Sequence, residues 1–583
     1  MEYITAQDLY QRIEEALATE AQGVANHILH DTLVLCCHEG LRHTRHAFGN
    51  LSSQVDYLCR DRHMAAQDVL AIQQMRRHSN SDEPLSPEDL GYDCRALALF
   101  VSAVFQTSVP ASLVGRIPAT GRMTQGSPIS SYTYLRCVVR SFDDETIHAT
   151  IVNQDCDEEV VTIDYRHTPD YIDFSYLTRI LQEGMTLNLL DCHREDERLI
   201  PGLIIVEPDY LLDISAIASC FEDYGHHPLL FTLHRLKERQ NSKHILLGNF
   251  AGSALDDLIN HAQYRFADTL QRNFREKAIE YACCPDFNPS EFKKLAESQV
   301  NNMQAVVAEL FGRYNKEKAI LEPSFICEKL GIQGRVDLMT TDLQLLVEQK
   351  SGQNYFLKRH TRNRYGSLHV EKHYVQVLLY FGVLSYNFGL SPKHADIYLL
   401  YSKYPLPDGL MQVEPLRKLL REALKYRNQV VALEYWMAFH GLERILPHLH
   451  VSTLNTEHLD DYFFHAYLQP QIEAVTTPLQ TMKPLERAYF CRMMRFVMRE
   501  QIVAKVGAQE GVGSAGADLW NMPLSMKRET GNIFTRLRIV DKKSDGTGGY
   551  DTLTLLIPKQ EDDFLPNFRR GDMVYLYAYD QDK

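Results

Sequence analysis

The spacing of apolar positions changes several times along the chain, and each change predicts a different kind of element. Up to about residue 125 the period is helical. Thr5-Ala6-Gln7-Asp8 precedes Leu9, Ile13 and Leu17, which predicts a capped amphipathic helix. A second apolar run through Ala96–Phe100 ends near Pro110, and the polar tract His78–Pro84 is a loop. From about 126 to 207 the period shortens to two. Tyr132–Arg140, Thr146–Val152, Glu159–Tyr165, Thr186–Leu190 and Leu203–Val206 read as strands, with one helical insert. Short strands in that number predict a small OB-like barrel, a fold that often stacks single-strand bases on aromatics, or a plain spacer. Further on, Gly331–Met339 and Leu343–Val347 are strands, His373–Tyr380 lies on a helix, and His394–Tyr401 is a later sheet strand. Leu416 to about Phe439 and residues 455–505 are helical. The tract Gly507–Gly516 is a linker, and Gly531–Val540, Thr552–Ile557 and Arg570–Tyr577 are three terminal strands.

Length and composition add limits. A chain of 583 residues exceeds what one core usually covers, about 250–300 residues, so several domains are expected. The apolar runs are far short of a membrane span. Met1-Glu2-Tyr3-Ile4-Thr5 offers neither a basic nor an apolar signal region, so the expected location is cytoplasmic, with no membrane partner. The net charge of −15 argues against binding nucleic acid over the whole surface, yet allows a local basic groove. The twelve cysteines include no Cys-x-x-Cys and are expected to be reduced.

The chemistry concentrates between Gly331 and Tyr380. Alternation along a strand puts Glu348 and Lys350 on one side and Gln349 on the other. With Asp337 on the neighbouring strand, two carboxylates and an ammonium form a compact set. Hard divalent cations take carboxylate, carbonyl and water oxygens. A cation there would polarise a phosphodiester and acidify a bound water, while Lys350 would orient that water or stabilise developing charge. Taken singly these spacings are weak: Glu291-Phe292-Lys293 and Gly548-Gly549-Tyr550-Asp551 repeat them. Their order is what distinguishes them. Gly334-Arg335-Val336-Asp337 comes first, Glu348-Gln349-Lys350 ends the next strand, and Gln376-x-x-x-Tyr380 follows on a helix. Between them lie Tyr355, Phe356, Lys358, Arg359, Arg362, Arg364, Tyr365 and Lys372, basic charge interleaved with aromatics as single-strand binding requires.

This block resembles the catalytic core of the PD-(D/E)XK nuclease superfamily, in its RecB-type branch. It is most similar to the nuclease part of replication nuclease–helicases that trim Okazaki flaps, and also similar to CRISPR-adaptation nucleases. The resemblance implies a multidomain α/β chain. Its expected parts are a helical N-terminal domain (1–125), an OB-like barrel (126–207), the nuclease core of mixed sheet and helices (208–450), a helical stalk (451–506), and a linker with a small helicase-associated barrel (507–583). It also implies a nuclease that uses magnesium or manganese on single-stranded or flapped DNA, with a helicase motor in the same or a partner chain.

In that resemblance Asp337 and Glu348 hold the metal with the Gln349 carbonyl and Lys350 positions water. Gln376 and Tyr380, helped by His373, organise the site and contact DNA or the scissile phosphate region, with Arg359, Arg362 and Arg364 as further DNA contacts. The usual metal-binding His on an upstream helix is replaced by Asp256, which either ligates metal or is a solvated first-turn residue. Glu322 is a further acidic candidate. The iron–sulfur ligands of many relatives are missing: Cys220 stands where the first would be, and no cysteine lies between Tyr380 and Cys491. Two other readings stay open, a non-cleaving DNA-binding scaffold for a helicase and a nuclease of phage defence or CRISPR adaptation.

Overall fold

The computed structural model describes residues 4–577 except 20–23, 44–50, 80–84, 122–130, 153–159, 169–171, 196–197, 239–240, 262, 360, 364, 392–393, 508–514, 523, 544–551, 561–564 and 573. It is a mixed α/β chain with several sheets and a closed barrel. The N-terminal helices are α1 (Ala6–Ala18), α2 (Val24–Gly40), α3 (Leu51–Asp61), α4 (Ala66–His78), α5 (Pro87–Phe105) and α6 (Ala111–Val114). Thr5 and Asp8 close a capping box at the start of α1, and Leu9 and Ile13 enter a core of their own with Leu29, Leu33 and Leu97.

Strands β1 (Ser131–Phe142), β2 (Thr146–Ile151), β3 (Val160–Asp164), β4 (Thr186–Glu195) and β5 (Arg198–Ile200) close through the β1–β4 pairing, and β6 (Leu203–Val206) adds to β4. The three-residue β5, which the sequence pattern does not announce, completes the ring.

The central unit begins with β7 (Leu212–Asp213), α7 (Ile214–Ala218), the hairpin β8 (Phe221–Glu222) and β9 (Gly225–His226), and α8 (Leu229–Leu236). Next come α9 (Lys243–Asn260), α10 (Phe266–Glu276), α11 (Ala278–Ala282) and α12 (Pro289–Phe311). Strands β10 (Ala319–Leu321), β11 (Ser324–Cys327), β12 (Ile332–Arg335), β13 (Leu338–Thr340) and β14 (Leu345–Lys350) lead to α13 (Tyr355–Arg359) and α14 (Glu371–Phe388). Strands β15 (Asp396–Tyr401) and β16 (Leu410–Gln412) and helix α15 (Arg417–His440) complete it. A five-stranded sheet runs β10-β13-β14-β15-β16, with β14 and β15 parallel. Period-two alternation splits its side chains between two cores. Leu346, Ile397, Leu399 and Tyr401 pack toward α14 and α15, while Leu345, Val347, Tyr398 and Leu400 pack toward α9 and α12.

Gly331–Met339, expected as one strand, is two strands in two sheets. β12 pairs with β11 and β7, and β13 pairs with β10 and β14. The chain crosses between sheets at Val336-Asp337, with Val336 plugged into the core. Gly331 opens the segment at φ +62°, pressed against the Arg427 guanidinium, so neither the backbone nor the space admits a side chain.

After α16 (Val451–Leu454), α17 (Gln469–Thr481) and α18 (Pro484–Val506) the chain reaches β17 (Arg538–Lys543) and β18 (Thr552–Leu556). These two form a ribbon of their own. Among the described residues the expected third strand, Arg570–Tyr577, is not formed and no terminal barrel closes. Val574, Tyr575 and Leu576 are exposed: alternation marks a face for burial, but among the described residues no layer covers it, and two strands cannot bury one. Among the described residues no helix is long and apolar enough to cross a membrane.

Candidate active site

Four pieces of chain converge: the β12–β13 crossing, the end of β14, the first turns of α14 and the fourth turn of α9. At the crossing the Asp337 Oδ2 accepts the Gln349 N–H at 2.6 Å. Glu322, at φ +49°, donates its N–H to the Asp337 carbonyl at 3.0 Å, and its carboxylate meets the Arg335 guanidinium at 3.0 Å. The Tyr380 hydroxyl donates to the Arg335 carbonyl. Its ring runs so close to Gly334 that a β-carbon there would stand 3.0 Å from it.

Glu348 and Lys350 share the α14 face of β14. The Lys350 Nζ is 2.8 Å from Glu348 Oε1 and 2.8 Å from Gln376 Oε1, and Gln376 Nε2 donates to Glu348 Oε1 at 2.7 Å. Both bonds to Glu348 reach one of its oxygens; its Oε2 is buried with no hydrogen-bond partner. A buried carboxylate oxygen in that condition calls for a proton, a cation or a water. Burial, with Asp337 adding repulsion against the pull of Lys350, pushes the Glu348 carboxyl up to about 7. Burial also raises Asp337, opposed by the Lys350 ammonium and the Gln349 N–H. Asp256 is pushed up to about 7 by burial, then by Glu322 and Asp337.

Asp256 therefore belongs to the same group of acids. It is not a first-turn residue: Ser242 caps α9 at Lys243, Asp256 lies thirteen residues further on in the fourth turn, and the helix-dipole account fails. The adjacent Asp257 turns away, bonded by Thr269 and Arg272.

The Gln349 side chain points to the other layer, as alternation requires. It donates to Ser402 Oγ at 2.9 Å, Ser402 donates to Gln299 Oε1 at 2.8 Å, and Gln299 Nε2 holds the Ser351 carbonyl at 3.1 Å. The sequence reading missed Gln299, Ser402 and Arg335. Gln299 had a signal: it is a polar residue in the buried stripe Phe292, Ala296, Val300, Met303 of α12. The Lys350 carbonyl accepts from Ser402 N–H on the β15 side at 3.0 Å, so the preceding Gln349 carbonyl faces the Asp337 edge.

That donor set fits a hard divalent cation: the orphaned Glu348 oxygen, the Asp337 carboxylate and the Gln349 carbonyl, with Asp256 beside them. Among the described residues no three His, Cys, Asp or Glu side chains stand together as a complete ligand group. Main-chain oxygen and water would fill the remaining positions, as magnesium commonly prefers.

The expected DNA contacts divide. Gln376 is in the site. Tyr380 is buried and serves as a strut behind it, because α14 is apolar on most sides and the residue faces the core. His373 is half-buried with Nδ1 3.2 Å from the Tyr401 hydroxyl; burial, and then Lys350, hold its imidazole neutral. Arg362 is exposed and returns Nη1 to the Gly366 carbonyl at 2.9 Å. Arg359 lies in α13 with its side chain outside the described residues, as is the whole of Arg364. Two further members of the basic stretch are engaged locally, Lys372 with Glu222 and Tyr355 with Asp223. No protein-family model matches this chain, and no curated protein matches it.

Proposed function

We propose that this chain is a divalent-metal-dependent nuclease that hydrolyses phosphodiester bonds in single-stranded or flapped DNA, of the PD-(D/E)XK kind and RecB-type branch. The observation that carries the reading is the half-satisfied Glu348: one oxygen knotted to Lys350 and Gln376, the other buried and bare beside Asp337 and the Gln349 carbonyl. Asp337, Glu348 and the Gln349 carbonyl would hold magnesium or manganese, with Asp256 as a fourth contributor. Bound there, the cation would polarise the phosphate and lower the pKa of water. Gln376 keeps the Lys350 ammonium beside Glu348, where it can orient the attacking water and meet charge developing on the phosphate. Tyr380 fixes the backbone two residues ahead of Asp337 through the Arg335 carbonyl.

The test is cleavage of end-labelled single-stranded DNA with manganese. Wild type is expected to cut and Glu348→Ala to lose at least about a hundredfold in rate. Cutting by neither protein under any divalent metal, or equal cutting by both, overturns the proposal. A second reading, a DNA-binding module that does not cut, draws on the lack of a complete three-ligand group among the described residues. Binding of the labelled strand without metal-dependent cutting would select it.

A further inference from the structure

Helix α18 packs one side on α15 through Cys491, Met498 and Ile502. At 100° per residue the opposite side carries Leu485, Tyr489, Met493, Phe496, Glu500 and Val503 within a narrow stripe. All but Glu500 are large apolar groups left in water: Leu485 is 81% exposed, Tyr489 69% and Phe496 56%. From Tyr489 to Val503 they follow alternate spacings of four and three, the seam of a helix pair rather than a solvated face. Lone exposed apolar residues need no explanation, but a contiguous stripe along one helix does.

We propose that this stripe is the contact between two copies of the chain, with the two α18 helices antiparallel about a twofold axis at Phe496. The charges choose the occupant and the direction. Glu500 sits within the stripe and Arg492 on its edge, both exposed. A parallel pair in register would set Glu500 against its own mate, two like charges side by side. The antiparallel pair instead sets Glu500 opposite the partner's Arg492, twice by symmetry. Tyr489 then meets the partner's Val503, and Phe496 meets Phe496. A twofold contact must be complementary to itself, and this helix face is. The contact uses none of the candidate active-site residues, so its fate is independent of the nuclease reading.

Sedimentation of the full chain across a concentration series tests it. Wild type is expected to move from the mass of one chain toward that of two. Phe496→Arg should weaken association by about tenfold or more. Arg492→Glu and Glu500→Arg should each weaken it, and the double variant Arg492→Glu/Glu500→Arg should recover it, which loss of folding cannot mimic. Under mild oxidation Phe496→Cys should form a covalent dimer, whereas Tyr489→Cys should not, because the antiparallel pair holds it about 21 Å from its own mate. A chain that stays monomeric at the highest soluble concentration overturns the proposal. So does a dimer indifferent to Phe496→Arg, or one in which the charge-swapped double variant fails to recover.

Discussion

Glu348 sets the most direct test at the residue scale, because its burial has a consequence apart from catalysis. Its folded carboxyl is raised from 4.5 to about 7. A raised carboxyl favours the protonated folded state. The stability that this group contributes is therefore complete below its unfolded value and is lost as pH rises through about 7. Glu348→Gln keeps the shape and removes the charge. Without metal at pH 8 the variant should be more stable than wild type by on the order of 2 kcal/mol, and the gain should vanish near pH 4. Manganese should reverse the order, raising the melting temperature of wild type and leaving Glu348→Gln little changed. Thermal melts at the two pH values, with chelator or manganese, read all of this without any DNA. Equal melting at pH 8, or equal response to manganese, would remove the case for a charged, cation-ready Glu348. The same sign holds for Asp256, also pushed up to about 7.

At the scale of elements, what supports the site is the far face of β14. Gln299 on α12 and Ser402 after β15 hold both the Gln349 side chain and the Ser351 carbonyl, so two elements behind the sheet fix the strand end that presents Glu348 and Lys350. Gln299→Leu keeps the apolar stripe but removes those bonds. Cutting is expected to slow by about tenfold at unchanged KM, since misplacement of a reacting group costs rate rather than binding. A change confined to KM would show that Gln299 serves DNA binding instead.

This layer also marks how far the elements were legible beforehand. Asp337, Glu348, Lys350 and Gln376 could be read because each depends on local spacing along one strand or one helix turn. The split of Gly331–Met339 into two sheets could not, because partner strands β7 and β11 decide it and they are remote in sequence or too short to announce themselves. Ser242 caps α9 at Lys243, which leaves Asp256 thirteen residues further along, so the solvated first-turn reading fails on the length of the helix. The burial of Tyr380 was not legible for a different reason: α14 is apolar on so many sides that periodicity does not say which face is the core. The third terminal strand, not formed among the described residues, shows the converse, a good local pattern that those residues leave uncovered.

Across the whole molecule, the barrel and the site are joined by two adjacent residues of α15. Arg427 is fully buried and its guanidinium donates to the carbonyls of Val206, Glu207, Tyr210 and Gly331, the last of these at the entry to β12. Asn428 accepts the Val206 N–H at 3.0 Å and donates to the Ile204 carbonyl at 2.7 Å. Burial pulls the Arg427 guanidinium down to about 10, still charged at neutral pH, against the opposing pull of the Glu207 carboxylate, and its hydrogen bonds go to carbonyl oxygens and to Asn428 Oδ1. A buried charge is costly, and its return here is that four carbonyls from the end of the barrel and the entry to the β11-β12-β7 sheet have one shared donor. Removing it leaves those carbonyls buried and unpaired at once. Arg427→Met, which fills similar space, should therefore destabilise the chain by about 3–5 kcal/mol. The loss should also be uneven: β4 and β6 of the barrel and Gly331 should gain amide exchange, while α1–α5, which have their own core, should not. If wild type melts through barrel and central unit together, the variant should separate that transition into two. A uniform gain of exchange across all units, or no gain at Gly331, would mean that the barrel's docking does not depend on this arginine and that apolar packing between the units suffices.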